Sequence, residues 1–421
     1  MPQQSSSYTL SVSTNSSFYA GSQGILISGQ VSPAPPSGTS VGISVLNPNG
    51  TEVRVASAPV SSTGSFSYAF TAGGTNWISG EYKVLASWAP SISGPTYNAS
   101  TTFQYAVMGF SMSISPSSLS IVQGSSGSAT VSLSLVTGTP EPVTLTVTGL
   151  PSGTAATFSN TPCTPSCTST LTIYVGSTAP AGTYQLYVTG SGGGMTVTSA
   201  LKLTVIPTYT VTFSESGLPS GTAWSVTFNG ATKSSTTGTI TYTGIPPGNY
   251  SWSVSTPIAV GTGVRYVASP SSGSISVPST TSIAVSYSEQ FYVSVQSTSG
   301  GTVSASGGWY GANSTVSITA TASAGYRFYR WSSSTSSISI ANASSPSTTI
   351  KVNGPGTVTA QFIKVLQSTI SISPASGAPG TTVTVSGSNF YPNSTVTLYY
   401  NGASVGSLTA STTGSFSTSF T

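Results

Sequence analysis

A chain of 421 residues is too long for one β-sandwich and suits several domains of ~80–110 residues. Only 3% of its residues are charged, and the net charge of +4 is too small and too scattered for nucleic-acid binding, which needs clustered cations. No apolar run approaches the ~18–20 residues of a spanning helix, so no membrane span is predicted within the chain.

The fold class is predicted to be all-β. Disordered chains lack aromatic residues, whereas this one has 21 Tyr, 14 Phe and 6 Trp. Many stand in runs that alternate apolar with small or polar residues, such as YTVTF (209–213) and YSWSVS (250–255). A period of two marks half-buried strands. The chain is therefore predicted to hold tandem immunoglobulin-like β-sandwiches and small β-modules arranged end to end.

The first two modules, residues 1–107 and 108–206, are both predicted to be immunoglobulin-like sandwiches. Residues 1–107 contain seven short apolar runs separated by turn residues, the number of strands expected for that fold. Residues 108–206 open with a strand, a turn and an alternating strand, and they close with two long alternating runs.

The only two cysteines, Cys163 and Cys167, lie four residues apart between prolines in the second module. This spacing predicts a disulfide that closes a small loop in an oxidising compartment, with two free thiols as the alternative. Metal binding is disfavoured because the chain has no His and no third Cys.

Residues 207–289 form the predicted third module. The segment FSESGLPSGTAWSVTFNGATKSSTTGTITYTGIPPGNYSWSV (213–254) resembles a β-module of archaeal secreted proteins, including some of the thermopsin-like acid protease group. The resemblance implies an archaeal secreted or cell-surface origin and an acidic setting. It carries no catalytic residue over to this chain.

Residues 290–364 form the predicted fourth module. The phrases GGTVSASGGWYGANSTVSITATASAGYRFYRW and GPGTVTAQF resemble the divergent B-repeat of internalin-type surface proteins, a small β-module of extracellular arrays whose core is packed by residues 325–331. Strict alternation predicts two faces for this strand: Tyr326, Phe328 and Arg330 on one, and Arg327, Tyr329 and Trp331 on the other.

Residues 365–421 repeat the plan of the first module through its fifth strand and are predicted to form an incomplete immunoglobulin-like domain. A sandwich that lacks strands exposes apolar faces and unpaired edges. We therefore expect either that the sequence is a piece of a longer protein, or that a strand from another subunit completes the domain by self-assembly through strand exchange.

Catalysis is not expected. Without His and Asp there can be no Ser-His-Asp or Cys-His site. A glycosidase would need two neighbouring carboxylates, for which Glu52 and Glu81 are the candidates. Each stands beside a cation in a strand-like run, so exposed strand charges are the better interpretation. No acidic cluster suits calcium, and no cofactor or metal is predicted.

Two tryptophans are candidates for a sugar-binding platform. Trp77 in GGTNWISG and Trp309 in GGWYG occupy loop-like sequence and are expected to be exposed, although burial is the commoner fate of so large an apolar group. Seven Asn-X-Ser/Thr sequons are candidates for glycosylation: Asn15, Asn49, Asn98, Asn249, Asn313, Asn342 and Asn393.

The sequence thus predicts a non-catalytic, extracellular structural or adhesive stalk region of a cell-surface or secreted protein, with cell-envelope proteins or glycans as partners. The alternatives are an accessory region of a larger secreted hydrolase, either an acid protease or a glycosidase, a carbohydrate-binding module, or a donor-strand filament subunit.

Overall fold

The computed structural model describes residues 7–304 and 307–421, and within these ranges every helix or strand element is a β-strand. The all-β prediction is confirmed, and the strands form modules in tandem. The described residues include no helix of the length and hydropathy needed to cross a membrane. The chain divides into two compact units. One consists of the residues up to Thr210 together with the segment Tyr242–Gly248, and the other consists of Val211–Thr241 and Asn249–Thr421.

The first module is a sandwich of two sheets, ordered β1-β3-β6 and β2-β8-β7-β4-β5. Its strands are β1 (Thr9–Thr14), β2 (Phe18–Ala20), β3 (Gly24–Ser32), β4 (Ser40–Leu46), β5 (Glu52–Pro59), β6 (Ser65–Thr71), β7 (Gly80–Trp88) and β8 (Tyr97–Ala106). Seven of them match the apolar runs of the sequence. Alternate residues point inward, so Tyr82, Trp88 and Phe103 are fully buried.

The second module is also a sandwich of two sheets, ordered β10-β16-β15-β12 and β13-β14-β11-β9. Its strands are β9 (Met108–Ser115), β10 (Ser118–Val122), β11 (Ser126–Gly138), β12 (Thr144–Thr148), β13 (Thr154–Phe158), β14 (Cys167–Val175), β15 (Gly182–Gly192) and β16 (Met195–Ile206). Leu133, Leu171 and Leu186 lie in its aliphatic core.

The described residues of the predicted third and fourth modules contain sixteen strands. They are β17 (Tyr209–Ser216), β18 (Trp224–Phe228), β19 (Ala231–Ser235), β20 (Thr239–Ile245), β21 (Gly248–Val254), β22 (Ile258–Gly261), β23 (Val264–Ser269), β24 (Ser272–Val277), β25 (Ser282–Ser297), β26 (Gly301–Val303), β27 (Gly307–Gly311), β28 (Thr315–Ala322), β29 (Tyr326–Ser333), β30 (Ile338–Ile340), β31 (Ser347–Val352) and β32 (Gly356–Lys364).

Strand β25 crosses the boundary predicted between residues 289 and 290. Along its 16 residues it pairs with β17 and β32 in parallel and with β23 and β27 in antiparallel register. The third and fourth modules therefore share one sheet through this strand. The sharing places side chains from the two modules side by side on that sheet.

Strand β29 contains a bulge that the alternation pattern did not predict. Its register against β32 shifts between Phe328 and Arg330, and an extra residue at a bulge changes which side chains share a face. Trp331 is buried and Phe328 packs against the same core, with ring centroids 5.8 Å apart. The prediction that these two residues lie on opposite faces is wrong.

Residues 365–421 form β33 (Thr369–Ser373), β34 (Val383–Ser388), β35 (Thr395–Tyr400), β36 (Ala403–Thr409) and β37 (Phe416–Phe420). They pair as β33-β34-β37 and β35-β36 around a small core. An apolar groove lies beside this core. Ile370 and Ile372 line it and are 58% and 53% exposed. Completion of this domain by a strand from another subunit stays a prediction.

Among the described residues, the phenol pKa of Tyr82, Tyr105, Tyr266 and Tyr287 lies above its ordinary value of 10.0. Burial is the largest cause in each case, because a phenolate loses its hydration there; for Tyr266 the neighbouring Glu289 carboxylate adds to it. A tyrosine whose pKa is raised by folding contributes stability that is fully present below its pKa in the unfolded chain. This contribution is lost as the pH rises through its pKa in the folded protein.

We therefore expect the free energy of unfolding to fall above pH 10 and to change little between about pH 2 and 8, because five Glu are the only acidic side chains and His is absent. Urea denaturation at a series of pH values from about 2 to above 10 measures the free energy of unfolding in both regions. A loss of several kcal/mol between about pH 6 and pH 2, or full stability well above pH 10, would contradict the expectation.

Candidate functional site

Trp77 does not form an exposed platform. It is only 8% exposed, and its ring stacks on Tyr82 at a centroid distance of 4.8 Å and an interplanar angle of 17°. The Tyr105 ring meets it edge to face at a centroid distance of 4.8 Å. The loop-like sequence before Trp77 turns the indole into the first module's core, where it excludes water from neighbouring rings. The prediction that Trp77 is exposed is wrong.

Trp309 lies at the surface but in a strand rather than a loop. It is half-buried in the middle of β27, paired with Tyr292 of β25. The rings of Tyr292 and Trp309 meet edge to face at 5.4 Å, and Tyr292 is 43% exposed. Of the two predicted platform residues, only Trp309 belongs to an accessible aromatic surface.

An arginine from the neighbouring strand completes this surface. Arg265 of β23 pairs with Gln290 of β25, and its Nε donates a hydrogen bond of 2.8 Å to the Gln290 side-chain oxygen. The guanidinium carbon lies 4.3 Å from the Trp309 ring centroid, a cation–π contact. Arg265, Gln290, Tyr292 and Trp309 are called the Arg265–Trp309 patch below.

The alternation of three strands puts the patch on the outer face of the shared sheet. In β25 the residues between and beyond the patch positions, Phe291 and Val293, are buried in the core. In β23 the buried residues are Tyr266, next to Arg265, and Ala268. A period of two therefore sends the apolar side chains inward and the patch side chains outward.

Another surface arginine offers an internal comparison. Arg330 donates from Nε to the Gln361 side-chain oxygen at 2.9 Å, and its guanidinium lies 5.4 Å from the Tyr329 ring centroid. The pair repeats the arginine–glutamine contact of the patch. Its aromatic neighbour is a tyrosine beside it in the same strand rather than a tryptophan across the sheet.

Cys163 and Cys167 are joined by a disulfide. Cys163 is 1% exposed, and its backbone exchanges two hydrogen bonds with Val143 of the facing segment, at 3.1 and 2.9 Å. Cys167 begins β14 opposite Leu133. The bond therefore ties the loop before β14 to the core of the second module.

Reduction of this disulfide is expected to lower the stability of the second module by about 2 kcal/mol, the chain-entropy value for so small a loop. Urea denaturation with and without dithiothreitol, followed by hydrogen exchange in residues 108–206, measures the change. The Cys163→Ser/Cys167→Ser double variant is the control, since its stability should not respond to the reductant. An identical response of both proteins would contradict the expectation.

All seven sequon asparagines have exposed side chains. They occupy different local structures: Asn49 lies in the β4–β5 turn, Asn98 lies in β8 opposite Ser87, and the Asn15 side-chain oxygen accepts hydrogen bonds from Tyr19 and Leu26. The remaining four are Asn249, Asn313, Asn342 and Asn393. Their exposure is compatible with modification, and glycosylation stays a prediction.

The two candidate carboxylates have separate partners. Glu52 accepts a hydrogen bond from Ser44, and Glu81 accepts one from Gln104 at 3.4 Å. Both side chains are exposed. They lie in β5 and β7, which pair with opposite edges of β4. This arrangement is the one expected for solvated strand charges, and the expectation that the chain is not an enzyme stays a prediction.

Arg265, Gln290 and Tyr292 are the patch residues that the sequence interpretation missed. Alternation in GVRYVAS (263–269) and QFYVSVQ (290–296) already indicated that all three point away from the core. The sequence carried no signal that β23 and β27 flank the same stretch of β25. That pairing is what brings Arg265 to Trp309.

The comparison with protein families identifies one segment. Residues 291–366 match the family model of the divergent InlB B-repeat domain. This match supports the internalin-type resemblance of the fourth module. It includes Tyr292 and Trp309 of the patch, whereas Arg265 and Gln290 precede it. No curated protein matches the chain at a significant level.

Similar solved structures share low identity with this chain. A Salmonella alpha-2-macroglobulin mutant is 10% identical over 98% of this chain, with a TM-score of 0.23, and this chain spans 37% of its length. Clostridium thermocellum CbhA fibronectin(III)-like modules are 16% identical, covering 46% of this chain and 94% of theirs, with a TM-score of 0.19. The Yersinia pseudotuberculosis adhesin InvE is 11% identical, with a TM-score of 0.22, and the similarity covers 46% of this chain and 58% of the adhesin chain.

Proposed function

We propose that this chain is a non-catalytic structural or adhesive region of a cell-surface or secreted protein. The observation that carries the proposal is a series of β-modules with their own apolar cores, joined without long linkers. Modules that each bury their own core can provide spacing or attachment without any catalytic group. The B-repeat match supports the proposal for residues 291–366.

Two further features support an extracellular location. The Cys163–Cys167 disulfide is of a kind that persists in oxidising compartments. The small number of titratable acidic groups suits an acidic setting, since few carboxylates can be protonated there. An archaeal origin is proposed from the resemblance of residues 213–254 alone.

The main alternative is that this chain is an accessory region of a larger secreted hydrolase. The separate partners of Glu52 and Glu81 favour the structural role within these residues. A carbohydrate-binding role is favoured by a different observation, the surface-exposed Arg265–Trp309 patch, and is developed below.

Single-molecule force spectroscopy on the full chain tests the structural role. We expect successive unfolding events, with the shared sheet of the third and fourth modules resisting as one body because β25 belongs to both. A module of ~90 residues should release about 30 nm of chain. Extension at low force with no discrete events would contradict a structural role.

A further inference from the structure

The Arg265–Trp309 patch holds a guanidinium group in a fixed position at the surface. The contact with the Trp309 ring at 4.3 Å and the hydrogen bond to Gln290 at 2.8 Å restrain the plane of the group. The described side chains include a few buried polar atoms that lack a hydrogen-bond partner, and the two Nη atoms of Arg265 are not among them. Because Arg265 is restrained before a ligand arrives, less side-chain entropy is lost when those groups donate to one.

The charge on Arg265 faces neutral groups on its own side of the sheet. Its contacts are an amide oxygen and an indole ring. Glu289 is the adjacent carboxylate, but it pairs with Tyr266 and accepts that hydroxyl's hydrogen bond at 2.9 Å. Successive pairs in a ladder point to opposite faces, so Glu289 lies on the other side of the sheet from Arg265.

An exposed aromatic ring lies next to this guanidinium. Tyr292 is 43% exposed and packs its ring against Trp309 at 5.4 Å. Aromatic surfaces with a few placed polar groups are typical of small-molecule sites. The apolar C–H face of a sugar ring is a ligand surface that fits against such rings.

We propose that the patch binds a sugar ring that carries a carboxylate, as in an acidic polysaccharide. The Arg265 Nη groups donate paired hydrogen bonds to the carboxylate, the geometry in which arginine–carboxylate contacts are strongest. The sugar ring packs on Tyr292 beside the edge of Trp309. The restrained guanidinium selects the acid, and the rings supply affinity that does not depend on charge.

The site depends on two modules. Tyr292 and Trp309 lie within the B-repeat match at 291–366, whereas Arg265 comes from the strand on the other edge of β25. A B-repeat without β23 would keep the aromatic rings and lose the cation. The acidic-sugar specificity is therefore a property of this pair of modules joined through β25.

Isothermal titration calorimetry of the full chain with hexagalacturonate tests the proposal, with the fully methyl-esterified hexamer as the neutral probe. The wild-type protein is expected to bind the acid more tightly than the ester. Arg265→Gln should weaken acid binding by at least about tenfold, since it removes charge-assisted hydrogen bonds. The same variant should leave binding of the ester within about twofold, because the rings remain.

Two further variants separate this site from other sources of binding. Arg330→Gln removes the same charge from the similar Arg330–Gln361 pair and should leave both affinities unchanged. Tyr292→Ala should weaken acid and ester alike. Equal losses from Arg265→Gln and Arg330→Gln would show nonspecific attraction of an anion and would overturn the proposal, as would no saturable binding of the acid to the wild-type chain.

The tryptophan fluorescence of the wild-type chain reports the location of the ligand. Trp77, Trp88, Trp224, Trp252 and Trp331 are buried, whereas Trp309 is only half-buried. Binding at the patch should change the emission, and calorimetric heat without that change would place the ligand elsewhere and overturn the proposal. The structural role does not rest on this site, since its force-spectroscopy test is independent of any sugar.

Discussion

Replacement of Trp331 by alanine is expected to lower the local stability of the fourth module by about 3–5 kcal/mol, the usual cost of removing a buried tryptophan. Trp331 is 1% exposed and packs against Phe328 in the core of the fourth module. Its indole Nε1 donates a hydrogen bond of 3.1 Å to the carbonyl oxygen of Ser345. The variant would leave that carbonyl without its donor as well as opening a cavity.

Hydrogen exchange in peptides from residues 291–366 measures this change, because a chain of several modules does not unfold in a single two-state transition. Tyr329→Ala is the matched control. Tyr329 lies two residues earlier in the same strand and is 51% exposed, so its loss should cost less than about 1 kcal/mol. Equal effects of the two variants would contradict the bulged register of β29 that buries Trp331.

Replacement of Trp77 by alanine is expected to destabilise the first module by about 3–5 kcal/mol. The indole is in contact with the rings of Tyr82 and Tyr105, both at centroid distances of 4.8 Å, and with Phe70 at 6.1 Å. Such aromatic contacts add to the area buried. A residue that the sequence suggested as a binding platform thus acts as a core residue.

Hydrogen exchange in peptides from β7 and β8 measures the loss of stability caused by Trp77→Ala. Ile78→Ala is the control, since Ile78 is 37% exposed and its backbone N–H and carbonyl, which bond the Tyr82 hydroxyl, are retained. A stable Trp77→Ala variant that loses affinity for a sugar would contradict the core role. Loss of protection confined to the first module is the expected result.

The sequence was sufficient to predict the fold class, because the strand period of two recurs throughout the chain. Two of the seven apolar runs in the first module coincide with the observed strands β3 (Gly24–Ser32) and β7 (Gly80–Trp88). Gly50, Asn401 and Gly402 adopt positive φ in the turns between β4 and β5 and between β35 and β36, a conformation that Asn-Gly pairs tolerate. These are local properties, which pattern and turn chemistry largely determine.

Non-local pairing explains what the sequence did not predict. Alternation placed Phe328 and Trp331 on opposite faces, and only the register against β32 reveals the bulge that puts both in the core. Trp77 was predicted to be exposed because glycines precede it, whereas its burial depends on contacts with rings from β7 and β8. The Arg265–Trp309 contact likewise requires two strands that pair with opposite edges of β25.

We propose that these modules belong to a cell-surface or secreted protein. Mild proteolysis of intact cells that express the native gene, with mass spectrometry of the released peptides and of the culture medium, tests it most directly. We expect peptides from these modules among the released or secreted material, with Cys163 and Cys167 recovered as a disulfide. Recovery of these peptides only after cell lysis, with both cysteines reduced, would contradict the account.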